Sequence, residues 1–288
     1  MFTNYELKHK ALAALKGNWQ TALMVALIAA LPSLISQVVS ILTGTGYMEV
    51  MTSLMLAMQQ NPNADLKALI QLAGVNVGAM GYSAILTVVT GLISPFLMLG
   101  LINYMLGLLR GVKDAPITAV FSRRGCFFKA IGLNIMVYLR VLVWMLPGMA
   151  LTIAAVFVPV DWLASLLLSG GMIAMMVLGI RAAMHYALAT HFMADNPGTG
   201  VNEAIRLSYA MLRRRKLLLF ILEMSFIGWN LLLMILQTVV GSMFGAVIAS
   251  TVYMVLNLVL TVYMQASICA FYDAYLHVKA PEANPDLT

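Results

Sequence analysis

DNPGTGVNEAIRLSYAMLRRRKLLLFILEMSFIGW, residues 195–229, carries in miniature the plan of the whole chain. It opens with a turn at Asn196, Pro197 and Gly198. Residues 201–212 follow, with Val201, Ala204, Ile205, Ser208 and Leu212 on one helical face and Glu203, Arg206 and Arg213 off it. That spacing predicts an amphipathic helix. Arg213, Arg214, Arg215 and Lys216 then form a basic cluster, and the apolar run beyond it holds a single acid, Glu223. A long apolar run behind a basic flank is the pattern of a membrane span whose charged end stays on the cytoplasmic side.

The rest of the chain fits the same reading. Of its 288 residues 62% are hydrophobic and only 10% are charged, against about 25% charged in soluble domains. So few charges cannot build a water-facing shell, so lipid must solvate most of the surface. The net charge is +6. In a soluble protein this would suggest nucleic acid. Here the basic residues adjoin apolar runs, which argues for membrane topology and anionic headgroups instead. Cys126 and Cys269 make no disulfide framework and are expected to stay reduced near the cytoplasmic side. The first apolar run is too long for a signal-peptide core and no small-residue cleavage site follows it, so it reads as an uncleaved anchor.

Six spans are expected, at residues 19–42, 83–109, 127–158, 162–185, 217–240 and 244–272. Each is long enough to cross a core of ~30 Å at ~1.5 Å per residue. Pro32 should kink the first, Pro147 lies within the third, and the fourth extends helically toward residue 192. Residues 1–16 set Leu7, Ala11, Ala14 and Leu15 against Lys8, Lys10 and Lys16, which suits an interfacial helix or a solvated basic tail. Met51, Leu54, Met55 and Met58, then residues 64–73, predict two helices on the outer membrane surface. The chain thus reads as one membrane domain, residues 1–276, with a polar, disordered tail at 277–288. All Lys and Arg except Lys67, Arg140 and Arg181 fall before span one, between spans two and three, between spans four and five, or after span six. Both termini are therefore expected in the cytoplasm.

Each cytoplasmic segment repeats one order of parts: an amphipathic helix, a basic or glycine-containing junction, an outgoing span. Span pairs one-two, three-four and five-six read as three copies of a helical hairpin. Asp114-Ala115-Pro116 beside Asn196-Pro197-Gly198, and Leu31-Pro32-Ser33 beside Leu146-Pro147-Gly148, are the nearest local matches. The alternative is that any six-span protein with interfacial helices shows this plan. Copies related in this way have parallel topology, unlike the inverted repeats of many transporters.

Three stretches carry a family resemblance: Leu15-Lys16-Gly17-Asn18-Trp19; Trp144-Met145-Leu146-Pro147-Gly148; and Asp195-Asn196-Pro197 with Glu203-Ala204-Ile205, Ser208 and Ser225-Phe226-Ile227-Gly228-Trp229. Together they resemble bacterial integral membrane proteins known as domain of unknown function 975. The resemblance covers nearly the whole chain. It implies a multi-pass protein of the bacterial plasma membrane without an established activity, and it supplies no catalytic residues. Arg213-Arg214-Arg215-Lys216 stands where that family typically has a glycine-containing junction. The family is also distantly similar to membrane domains attached to some glycerophosphodiester phosphodiesterases, which implies a lipid context.

Charges inside spans are the first functional candidates. Arg140 lies roughly 18 Å into span three, Glu223 roughly 9 Å into span five, and Arg181 near the cytoplasmic border of span four. Depth matches Glu223 to Arg181. The plain reading is an ion pair locking spans four and five, with Arg140 hydrogen-bonded to Asn or backbone groups. The sharper readings are a proton- or substrate-binding site, or headgroup contact by Arg181. Arg213, Arg214, Arg215 and Lys216 are candidates for inner-leaflet lipid contact, at about 1 kcal/mol per charge near an anionic surface.

Other constellations are weaker. His185 and His191 are six residues apart and share no helix face, so no metal site is expected. The 23 methionines suit lipid-facing packing better than copper handling. Leu168-Ser169-Gly170-Gly171 lacks any accompanying phosphate-binding loop; its small residues, with Gly179, suit close helix packing. No H-E-x-x-H or G-x-S-x-G occurs. Asn134, Asn230, Gln237, Asn257 and Gln265 are expected to hydrogen-bond between helices. The sequence therefore predicts an all-α integral membrane protein, with no cofactor and no enzymatic role. It is expected to contact lipid or support a protein partner; the alternative is a small transporter or lipid-translocating permease built on the intramembrane charges.

Overall fold

The computed structural model describes residues 3–45, 47–61, 65–112 and 115–276. The expected tail at 277–288 lies outside them. Among the described residues there are helices and no strands: α1 (Asn4–Leu15), α2 (Trp19–Thr43), α3 (Tyr47–Gln60), α4 (Leu66–Leu72), α5 (Val77–Leu109), α6 (Phe127–Val156), α7 (Asp161–Tyr186), α8 (Ala189–Asp195), α9 (Val201–Leu212), α10 (Lys216–Phe244) and α11 (Ala246–Leu276). Two short 3₁₀ turns, Ile117–Phe121 and Arg124–Cys126, lead into α6. Six of the helices are long and apolar enough to cross a membrane. They run unbroken through Pro32, Pro95 and Pro147.

The long helices pair as sequence neighbours. The most extensive packing in the molecule is α6 on α7, α10 on α11 and α2 on α5. These are the three expected hairpins. The first differs in having α3 and α4 inserted in its loop, where Val50 and Ala57 are buried and Met51, Met55 and Met58 are exposed. In the second, Gly148 and Gly171 let backbones meet: a methyl group on Gly148 would lie 2.6 Å from the Met175 amide nitrogen, and one on Gly171 would lie 2.8 Å from that of Thr152. The expectation of close packing at small residues thus falls on Gly171 and its unforeseen partner Gly148. Gly170 has open space beside it.

The hairpins converge at one end, here called basal, where α1, α8 and α9 also gather. The continuous core is there: Phe96 to Leu108 of α5, Val262 to Tyr275 of α11, Leu219, Leu222 and Phe226 of α10, and Cys126, Ala130 and Leu133 around the start of α6. α1 packs against α11, α5 and α10. Thr3 and Glu6 form its capping box, with contacts of 2.8 and 3.3 Å. Its Leu7, Ala11 and Leu15, one helical stripe, are fully buried. Residues Asn4–Leu15 are helical, as one of the two readings had it, and a large part of the apolar face is buried on protein.

The distal halves are different. Leu27, Leu31, Ile35, Val38 and Leu42 of α2, Leu231 to Val239 of α10, and Val247 and Ile248 of α11 are largely exposed apolar residues. No water-facing role suits such a surface, and hydrocarbon does. Polar side chains in these spans mostly satisfy themselves locally. Asn230 donates to the Phe226 carbonyl 3.1 Å away and Asn257 reaches the Tyr253 hydroxyl at 3.5 Å, each within its own helix. The expectation of interhelical bonding from these two residues fails because a carbonyl or hydroxyl one turn back is always in reach, whereas the neighbouring helix need not offer one.

Candidate functional site

Charged side chains from four distant parts of the chain meet at the basal end. Arg110, which caps the C-terminus of α5, donates to both carboxylate oxygens of Asp195 at the end of α8. Its Nε donates to Asp273 of α11 at 3.1 Å. Lys10 of α1 donates to the other oxygen of Asp273 at 2.8 Å. The Tyr272 hydroxyl donates to Asp195 at 3.2 Å. Two cations thus face two carboxylates in alternation, each carboxylate about four-fifths shielded from solvent. The hydrogen bond to Asp195, followed by the one to Asp273, pushes the Arg110 pKa further up, so this guanidinium stays charged.

A second layer surrounds this network. Arg123 donates to Asn103 at 2.8 Å and reaches the Asp195 carbonyl at 3.5 Å. Lys129 donates to the Pro197 carbonyl at 3.0 Å. Ser208 of α9 accepts from the Leu188 amide at 3.2 Å and donates to the His185 carbonyl at 2.9 Å, fastening α9 to the α7–α8 junction. Glu203 reaches back to the Gly200 amide at 3.4 Å and closes the start of α9. His191 is buried 5.8 Å from the Tyr272 ring, and no well-formed hydrogen bond reaches either of its nitrogens. His185 stacks on Tyr209 instead, so the two histidines diverge. Among the described residues no group of three His, Cys, Asp or Glu lies close enough to hold a metal.

The intramembrane charges are arranged otherwise than expected. No ion pair among the described residues joins Glu223 to Arg181. Glu223 is half-buried without an ion-pair partner among the described residues, and Arg181 is exposed. The nearby cationic contact on α10 is made by Lys8, whose ammonium sits 4.3 Å above the Phe226 ring. Burial lowers the pKa of Lys8. Matching depths along straight spans did not anticipate that α1 would occupy this flank of α10.

Arg140 is not deep in the bundle. It donates to Asn202 of α9 at 3.2 Å, and its guanidinium carbon lies 6.0 Å from the ring of Tyr186, the last residue of α7. It is therefore level with the basal end of α7. α8 and α9 pack against α6 as well, so α9 supplies the partner of this side chain.

The basic cluster lies at the turn from α9 to α10. Arg213 and Arg214 are exposed, and Arg215 stacks over Tyr275 at 4.8 Å. None of Arg213, Arg214, Arg215 or Lys216 meets a carboxylate among the described residues.

A protein-family model, described as a protein of unknown function (DUF975), matches residues 1–279. The chain belongs to this family. No curated protein and no solved structure matches it. Within the DUF975 chain, the residues that marked the resemblance now have places. Asp195 anchors the charge network, Glu203 closes α9, and Ser208 ties that helix down. Lys10, Arg110 and Asp273, which complete the network, escaped sequence reading. Their only signal was that Asp195 and Asp273 are acids at the ends of apolar runs otherwise flanked by bases.

Proposed function

We propose that this DUF975 chain is a non-catalytic factor of the bacterial plasma membrane, with its basal end in the cytoplasm, where it engages anionic headgroups of the inner leaflet. The observation carrying this reading is the contrast between two sets of basal charges. Lys10 and Arg110 are neutralised by Asp273 and Asp195. Arg213, Arg214, Arg215 and Lys216 meet no carboxylate among the described residues, and they adjoin the amphipathic helix α9 and the start of a span. Cations left unpaired beside a lipid-facing apolar surface attract anionic headgroups, at about 1 kcal/mol per charge. A soluble partner bearing acidic groups is the other occupant this surface suits.

The test is thermal unfolding of the purified chain in detergent doped with phosphatidylglycerol or phosphatidylcholine. Phosphatidylglycerol should raise the midpoint more, and R213Q/R214Q should remove that preference without lowering the midpoint in phosphatidylcholine. Equal effects of the two lipids on the unaltered chain would defeat the proposal. The transporter reading requires one cavity reaching Arg140, Glu223 and Arg181 together. The groove beside Arg140 is lined by Leu139, Val143, Trp144 and Tyr186, without the other two charges.

A further inference from the structure

Away from the basic turn, the flank of the α6–α7 hairpin carries a groove of about 200 Å³ lined by Leu139, Arg140, Val143, Trp144 and Tyr186. We propose that it binds the phosphate of a phospholipid, with Arg140 as the recognising group. This goes beyond the headgroup attraction of the basic turn, because it names a discrete site with one bound lipid.

Three observations converge. The first is an excess of donors. Arg140 has five N–H donors and gives one of them to Asn202. Asn202 accepts with its amide oxygen, which leaves its own NH₂ as a donor. The Tyr186 hydroxyl has no partner among the described residues. Among the described residues no carboxylate pairs with Arg140. A half-buried guanidinium in a donor-rich setting takes an anionic acceptor, and its planar fork matches two oxygens of one phosphate.

The second observation is position. Arg140 is held level with the end of α7, where Trp144 and Tyr186 provide the ring pair found at headgroup depth. The third is the groove's chemistry on its other side. Leu139, Val143 and Trp144 are 53%, 61% and 44% exposed and form an apolar wall continuous with the lipid-facing surface of α6. A soluble phosphate would meet that wall as wasted apolar area, whereas an acyl chain would cover it.

Asn202 gives the site its shape. An arginine at a span boundary ordinarily snorkels freely into water. Here α9 reaches across and fixes the side chain over Tyr186, so its orientation precedes the ligand.

The experiment uses the full delipidated chain in detergent, read by native mass spectrometry. The probes are dioleoyl phosphatidylglycerol, dioleoylglycerol with the same tails and no phosphate, and inorganic phosphate as a competitor. The unaltered chain should retain one phosphatidylglycerol and no dioleoylglycerol. R140Q should weaken retention about tenfold or more, the size of one lost charge-assisted hydrogen bond. R140K and Y186F, which disturb packing less, should each weaken it, the first because the fork is gone. R213Q/R214Q should retain the adduct, so the failure of the basic-turn proposal and of this one are read separately. Retention by R140Q equal to that of the unaltered chain, or equal binding of dioleoylglycerol, would overturn the site. Competition by millimolar inorganic phosphate would keep the phosphate chemistry and overturn the lipid as its source.

Discussion

Asp195 receives both ends of the Arg110 guanidinium, and this fork joins the last residue of α8 to the cap of α5. Residues 85 positions apart thereby fix how the second hairpin sits on the first. Removing Asp195 leaves Arg110 with Asp273 alone, and removing Arg110 leaves Asp195 with the Tyr272 hydroxyl but no cation on its carboxylate. A fully buried pair would cost about 3–5 kcal/mol to break singly, and exposed pairs about 0–1. With Arg110 38% exposed, D195N should cost about 1–3 kcal/mol. A lowered unfolding midpoint in detergent is the expected result, and a double-mutant cycle with R110Q should show positive coupling. An unchanged midpoint for D195N would mean the fork contributes nothing to stability.

Glu223 and Arg181 should behave as independent residues. Glu223 has no hydrogen-bond or ion-pair partner among the described residues, and Arg181 is exposed. E223Q removes a half-buried charge without breaking a pair, so it should leave the unfolding midpoint unchanged or slightly raised. The cycle of E223Q with R181Q should give a coupling near zero, within ~0.5 kcal/mol, as for residues that share no contact. A coupling of several times that size would restore the ion pair that depth alone suggested.

The α6–α7 hairpin depends on the absence of side chains at Gly148 and Gly171. A methyl group at either position would press on backbone atoms of the facing helix at 2.6–2.9 Å, which no rotamer change relieves. G171V should separate the two helices and cost at least ~2 kcal/mol. Cysteine crosslinking at the facing pair Met145 and Gly179, in this background, should fall relative to the unaltered hairpin. By contrast G170V, with open space around it, should be tolerated.

What the sequence disclosed and what it withheld divide along a physical line. Apolar length and basic flanks located all six long helices, because the demand for hydrocarbon contact is written into every residue of a span. The pairings α6–α7 and α10–α11 followed, since their short connections leave neighbours little choice; α2 and α5 pair as well although α3 and α4 lie between them. Of the amphipathic stripes, Leu7, Ala11 and Leu15 of α1 and Ala204, Ile205, Ser208 and Leu212 of α9 are buried, while Ala14 and Val201 are only partly so. The network of Lys10, Arg110, Asp195 and Asp273 was invisible, because each residue alone looks like an ordinary charge at a span's end. Only the convergence of helices decides which carboxylate meets which cation. The partner of Arg140 was hidden for a related reason. Helix length gives distance along one span, but it does not tell that α9 comes alongside and offers Asn202.

Asp273 clasps Lys10 on one side and Arg110 on the other. Seen in the order of synthesis, this joins an early helix, α1, to a much later one, α11. α1 emerges long before α11 exists, and its stripe of Leu7, Ala11 and Leu15 must wait for the surface that finally covers it. Of the helices it packs against, α5 and α10 emerge earlier, and α11, which makes the most extensive packing with it, follows both. The docking of α1 therefore reports that the sixth span is in place. A chain stalled before residue 273 would lack the carboxylate through which Lys10 of α1 and Arg110 beside α5 are joined to α11.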